Sequence, residues 1–272
     1  MLLRKNPKDV IARLAAAELE FFTPDDLMAV LGVTREHAWG LAHRLAAANL
    51  IRRVRRGLYA IVGPRAWTEG AGAGINWYWA AANAVHGEPY FLAYYTAMEL
   101  HQMLQHPIRT VFVAVARHHR GFTFGPARIR FVKVTEAKLF GDEERRVDGH
   151  VVKMAQLERA FIDCVDRPDL CGGLEEVVRA FARRHGDLDA GRLLRVVRRF
   201  DKPVATKRLG YLLELVGHSD RELIWELENA AGRLRRYVPL DKTRPTEGAT
   251  RDRRWELLVN ADPHELLRGI RT

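Results

Sequence analysis

The chain has 272 residues, with 44 Lys and Arg against 34 Asp and Glu for a formal charge of +10. That length predicts two units rather than one small module, and the charge favours polyanionic partners without specifying a fold. Cys164 and Cys171, with six residues between them, fit neither a zinc knuckle nor a secreted disulfide framework, and no apolar run reaches signal or membrane-span length, so a soluble, cytoplasmic protein with no membrane partner is expected.

Residues 8–20 place Val10, Ile11, Leu14, Ala15 and Ala17 on one side of a first helix. Thr23 is positioned to cap a second, with Pro24 at its first position and Leu27, Met28 and Leu31 inward. Gly32 allows a turn. Thr34 then caps a third helix whose Ala38, Leu41, Leu45 and Ala48 recur at helical spacing, leaving Arg35, His37, Trp39, Gly40, His43 and Arg44 on or near the other side. Leu50, Ile51 and Val54 form a strand, Arg55-Arg56-Gly57 a turn, and Leu58, Tyr59, Ile61 and Val62 the return.

Helix, turn, helix and basic hairpin in this order predict a winged helix-turn-helix. Arg52, Arg53, Arg55 and Arg56 on the wing, with no acid among them, are expected at phosphates or a minor groove, and Arg35, His37, His43 and Arg44 at a major groove. Residues 1–66 hold half of the excess charge, with eleven Lys and Arg against six acids. The alternative is a three-helix fold for protein contacts, its arginines keeping an edge strand soluble.

Gly63-Pro64 and the glycine-rich 70–74 stretch beyond Trp67 suggest a linker, dividing the chain into residues 1–66 and 67–272. The larger part predicts a mixed α/β unit, a small sheet flanked by helices, so that the whole is α+β. Residues 75–85 form an alanine-rich helix with Trp77, Tyr78 and Trp79 packing in a core or at a seam between the units. A helix at 96–105 precedes strands at 110–116, 127–134 and 151–154. Helices follow at 157–165 and at 174–185, where Glu175 is spaced to pair with Arg179. In the next, 190–200, Leu193, Leu194, Val197 and Phe200 oppose Arg192, Arg195, Arg198, Arg199 and nearby Lys202, a second basic face that is either solvated or set against DNA or an acidic partner. Leu209 to Val216 build another helix, Ser219 and Glu222 a capping box for its successor, and 263–267 a last short one.

No phosphate-binding loop, nucleophile elbow or zinc-protease motif is present. Glu158, Asp163, Asp166 and Asp169, with Lys133 or Lys153, offer an Mg²⁺-dependent nuclease reading, but Glu158 and Asp163 are spaced to diverge on a helix, and Arg159 with Asp163 has the spacing of a surface ion pair. His101, His106, His118 and His119 are expected at loops or the surface rather than at a metal. No cofactor and no catalytic residue is expected.

Several phrases in order resemble the AbiEi antitoxins, the regulator half of type IV toxin-antitoxin and abortive-infection pairs. They are the N-terminal winged helix; Tyr94-Tyr95-Thr96-Ala97-Met98-Glu99-Leu100-His101; residues 131–141; Leu157-Glu158-Arg159-Ala160-Phe161-Ile162-Asp163-Cys164 through Arg167-Pro168 to Gly172-Gly173; Lys207-Arg208-Leu209-Gly210-Tyr211-Leu212-Leu213-Glu214; and Tyr237-Val238-Pro239-Leu240 with Arg254-Trp255 and Asn260. Gln102 departs from the pattern, standing where family members often carry glycine. The resemblance implies a repressor that binds inverted repeats in its own promoter, and a C-terminal domain that counters a nucleotidyltransferase-type toxin. A ligand-responsive regulator with an apolar pocket near Trp77, Trp79 and Tyr94 is the second expectation.

Overall fold

The structure, a computed structural model, describes residues 6–62, 76–85, 87–232 and 236–270. The glycine-rich stretch, Trp67 and the 66/67 division lie outside them.

The N-terminal module runs α1 (Pro7–Ala16), β1 (Phe21–Phe22), α2 (Pro24–Leu31), α3 (Arg35–Ala47), β2 (Ile51–Arg55) and β3 (Leu58–Ile61). Its three strands form an antiparallel sheet in the order β1-β3-β2. Thr23 caps α2 through a reciprocal box: its hydroxyl accepts from the Asp26 amide, and the Asp26 carboxylate accepts from the Thr23 amide at 2.7 Å. Val10, Leu14, Leu27, Leu31, Ala38, Leu41 and Leu45 meet in one core, as their spacing predicts. The first helix stops earlier than expected, because Glu18 takes a positive φ of 56° and turns the chain into β1.

The larger part adds α4 (Trp77–Asn83), β4 (Tyr90–Leu92), α5 (Tyr95–Leu100), β5 (Thr110–Val115), β6 (Phe122–Phe124), β7 (Ala127–Lys133), β8 (Asp142–Val147) and β9 (His150–Ala155). Then come α6 (Leu157–Asp166), α7 (Leu174–Arg184), α8 (Ala190–Phe200), α9 (Pro203–Leu215), α10 (Arg221–Ala231), the short strands β10 (Val238–Pro239), β11 (Thr250–Asp252) and β12 (Leu257–Val259), and α11 (Pro263–Leu266). A six-stranded mixed sheet in the order β6-β7-β5-β4-β9-β8 is the centre of the molecule. The fold is thus a mixed α+β one.

Strand β5 sorts its side chains by alternation. Phe112 and Ala114 join the core under α6 to α10, whereas Val111, Val113 and Val115 join a second core with Ala80, Ala81 and Ala84 of the α4 segment. That second core also takes Phe21, Val54, Leu58 and Ala60 from the N-terminal module. The module therefore packs on one face of the sheet and the helical bundle on the other, with apolar side chains of both parts in contact across the first face.

Several local expectations change. Asp220, not Ser219, caps α10, its carboxylate accepting from the Leu223 amide at 2.9 Å. Glu175 ion-pairs with Arg244, while Arg179 pairs with Glu176 at 2.7 Å. Arg159 and Asp163 are buried rather than at the surface, at 1% and 2% exposure. Gly210 is required by close packing, since a Cβ there would lie 2.0–2.4 Å from the fully buried Trp255 ring.

Gln102 shows why its position favours glycine. It ends α5 at a φ of +58°, with its amide on the Glu99 carbonyl at 2.8 Å and the Met103 amide on Met98 at 2.8 Å. Gln102→Gly should stabilise the protein by about 1 kcal/mol, read as a higher urea midpoint at unchanged m-value. A lower midpoint would mean that the glutamine side chain holds this turn.

Candidate nucleic-acid interface

Helix α3 buries Ala38, Leu41, Ala42 and Leu45 and exposes Arg35, Glu36, His37, Trp39, His43 and Arg44. Gly32, at a φ of +64°, reverses the chain between α2 and α3. Thr34 does not cap α3 through its side chain as expected; its hydroxyl lies 2.8 Å from His37 Nδ1 and holds that ring at the start of the helix. Arg35, His43 and Arg44 have no ion-pair partner among the described residues. The helix thus presents free cations on a face that its own module does not use.

Gly57, at a φ of +77°, closes the β2–β3 hairpin, and the four arginines around it separate into two pairs. Arg53 and Arg56 are exposed and unpaired among the described residues. Arg52 and Arg55 turn towards the larger part of the molecule instead. The Arg52 guanidinium lies 5.5 Å over the Phe124 ring, and Arg55 Nη2 donates to the Ala84 carbonyl at 2.8 Å. Arg52 Nη1 and Arg55 Nε are buried without hydrogen-bond partners among the described residues, and burial holds the Arg55 pKa below its ordinary value. The expectation that all four line one outer edge is corrected accordingly.

A register shift between Arg53 and Arg55 explains the split. Strict alternation would aim Arg52 and Arg55 to opposite faces; the bulge brings both to the side that Val54 buries. What remains outward is α3 beside the hairpin tip.

Residues 9–62 match the family model of the transcriptional regulator, AbiEi antitoxin. The match spans about a fifth of the chain and takes in α2, α3 and the whole hairpin. A crystal structure of the RV2827C protein from Mycobacterium tuberculosis is similar over 96% of this chain and 93% of that one, at a TM-score of 0.63 and 15% identity, a likeness of fold. No curated protein matches the chain.

The second basic face lies away from this N-terminal module. Leu193, Val196, Val197 and Phe200 of α8 belong to the core on the bundle side of the sheet, so the arginines opposite them point away from both sheet and module. Most of that face is also neutralised locally. Arg192 lies 3.6 Å from Asp189, Arg198 3.2 Å from Glu226, Lys202 pairs with Asp166, and Arg199 sits 4.3 Å over Phe140. Only Arg195 lacks an ion pair or ring contact among the described residues.

Nor do the four acids of the nuclease reading converge. Glu158 accepts from the Asp189 amide at 3.0 Å, Asp163 from Arg159 Nε at 3.0 Å, Asp166 pairs with Lys202, and Asp169 accepts from Arg167 at 2.7 Å. Lys133 and Lys153 are exposed on β7 and β9. Among the described residues, no group of three or more His, Cys, Asp or Glu could hold a metal ion, and no helix is long and apolar enough to cross a membrane. His101, expected at a loop or the surface, is buried at the end of α5, with Nε2 donating to the Ala155 carbonyl at 2.8 Å and its pKa lowered by burial. His119 instead lies 3.3 Å from Glu88.

The pocket expected near Trp77, Trp79 and Tyr94 does not form as one site. Tyr94 belongs to the bundle-side core, and the two tryptophans pack on the opposite one. Trp79 instead marks the contact between the two parts. It meets Phe21 edge-on at 6.5 Å and stacks on His150 at 5.3 Å, and His150 Nδ1 lies 3.5 Å from Glu20. Beside it is a cleft of about 470 Å³ lined by Leu19, Phe21, Ile61, Trp79 and His150.

Proposed function

We propose that the protein is a DNA-binding transcriptional repressor of its own operon, acting as antitoxin to a nucleotidyltransferase-type toxin. Its N-terminal module is a winged helix-turn-helix whose α3 enters a major groove and whose wing tip meets the backbone. The observation that carries this reading is the outward set of basic side chains without an ion-pair partner among the described residues, Arg35, His43 and Arg44 on α3 with Arg53 and Arg56 at the tip. His37 joins them on the α3 surface. The AbiEi match over residues 9–62 supports a regulatory role for this module.

The DNA partner is duplex carrying inverted repeats upstream of the gene, bound in the cytoplasm by two copies of the module on symmetric half-sites. The chain performs no bond-breaking, and residues 67–272 deliver the antitoxic effect. Co-expression with the adjacent gene product, scored by growth, tests the second half. Rescue of growth by the full chain is expected, with residues 67–272 alone retaining it; toxicity unrelieved by the full chain would refute the antitoxin role. A reporter driven by the upstream DNA tests the first half, since repression should be lost on Arg53→Ala/Arg56→Ala.

The cleft beside Trp79 favours a second reading, a ligand-responsive regulator whose effector sits between module and sheet. A metabolic enzyme rather than a nucleotidyltransferase encoded next door would select it.

A further inference from the structure

Gly40 lies inside α3, where glycine is among the poorest of helix formers. Nothing among the described residues requires it there. Its φ is not positive, and a Cβ at this position would meet only Arg44 Nη1, at an ordinary 3.7 Å. Gly210, also inside a helix, is accounted for by Trp255 lying against it. The constraint at Gly40 is therefore external. At about 100° per residue, Glu36, Gly40 and His43 fall in the middle of the arc opposite Ala38, Leu41, Ala42 and Leu45, while Arg35 and Arg44 fall towards its two margins.

Two neighbours say what approaches. Trp39 is 39% exposed, one of three exposed large hydrophobic side chains among the described residues. Glu36 is exposed, with no ion-pair partner among the described residues, and a carboxylate set against phosphates is unfavourable. Cations at the margins, with an acid and a bare backbone between them and an indole on the Arg35 side, suit a groove, where margins meet phosphates and the middle meets base edges. An acidic protein surface would meet Glu36 with repulsion.

We propose that Gly40 and Trp39 are the sequence-reading part of α3. The missing side chain at Gly40 lets the helix lie close to the floor of a major groove, and the Trp39 ring covers a thymine 5-methyl group there. This inference rests on the DNA-binding reading above and adds which feature of the groove is recognised.

The test uses the full chain and a duplex selected with it from a randomised pool. Gly40→Ala should bind the selected duplex at least about tenfold more weakly, bind an unrelated duplex at low salt as the native protein does, and melt about 2–4 °C higher. Lower affinity with higher stability separates an external constraint from a folding defect. Deoxyuridine in place of one selected thymine should weaken the native protein about fourfold and leave Trp39→Ala indifferent. Undiminished binding by Gly40→Ala, or silence of deoxyuridine at every selected thymine, overturns the proposal while leaving DNA binding intact. If no duplex is retained even at low salt, the regulator reading itself fails.

Discussion

Replacing Arg159 with alanine is expected to destabilise the protein by about 3–5 kcal/mol, and by more at pH 8 than at pH 5. The guanidinium is 1% exposed and held by hydrogen bonds from Nε and Nη1. Its Nε donates to Asp163 Oδ1 at 3.0 Å and its Nη1 to the carbonyls of Lys138 and Phe140 at 2.8 and 2.7 Å, while the plane lies 5.0, 4.7 and 5.1 Å from the rings of Phe91, Phe140 and Phe200. One side chain thus ties the turn before β8 to α6 and α8. Its removal strands a buried carboxylate and two carbonyls.

The pH dependence follows from Asp163, which burial pushes up to about 6 despite Arg159. An acid whose native pKa lies above its unfolded value keeps a proton that the unfolded chain releases, so stability falls as pH rises from about 4 through 6. Without Arg159 the native value climbs further and the window extends upward, which enlarges the loss at pH 8. Urea midpoints of both proteins at the two pH values measure it. An equal loss at both would mean that Asp163 does not respond to Arg159, and a loss below about 1 kcal/mol would contradict the burial. Arg159→Met with Asp163→Leu should restore much of the stability, because no charge is then left unpaired.

The second large effect is on DNA. Arg53→Ala/Arg56→Ala should weaken duplex binding by about 10²-fold at 0.1 M salt and reduce the magnitude of the slope of log affinity against log salt by about 2, as two phosphate contacts are lost. Arg52→Ala/Arg55→Ala makes the same change in charge but should leave that slope nearly unchanged, since those side chains are turned to Phe124 and the Ala84 carbonyl. Its cost should appear in stability, through the contact between the two parts. Equal slopes for the two double variants would mean that Arg52 and Arg55 leave the sheet side when DNA binds.

Helices and the basic hairpin of the module were legible because their signals are local. Thr23, Pro24 and Gly32 punctuate α2, and Gly57 takes the positive φ that a tight turn needs. Strands β5, β7 and β9 were legible by apolar content. Strands β1, β4, β6 and β8 escaped notice; the first three have two or three residues each, and β8, Asp142–Val147, has no apolar alternation and exists through its pairing with β9. The direction of Arg52 and Arg55 depends on a bulge, which no side-chain pattern announced.

The burial of Arg159 and Asp163 left no such trace. With Asp166 they fall on the arc of α6 opposite Ala160, Phe161, Cys164 and Val165, as a solvent-facing ion pair would, and it is Phe91, Phe140 and Phe200, brought by the fold, that cover the guanidinium. The cations of α8 illustrate the same limit: their spacing was visible, but Asp189, Glu226 and Asp166 come to them only through the fold.

The central claim, that DNA lies against α3 and the hairpin tip rather than against α8, is tested most directly by amide hydrogen exchange of the full chain with and without its selected duplex. Protection is expected across residues 35–47 and 53–57, with 190–200 unchanged. Protection confined to 190–200, or none anywhere at saturating duplex, would contradict it.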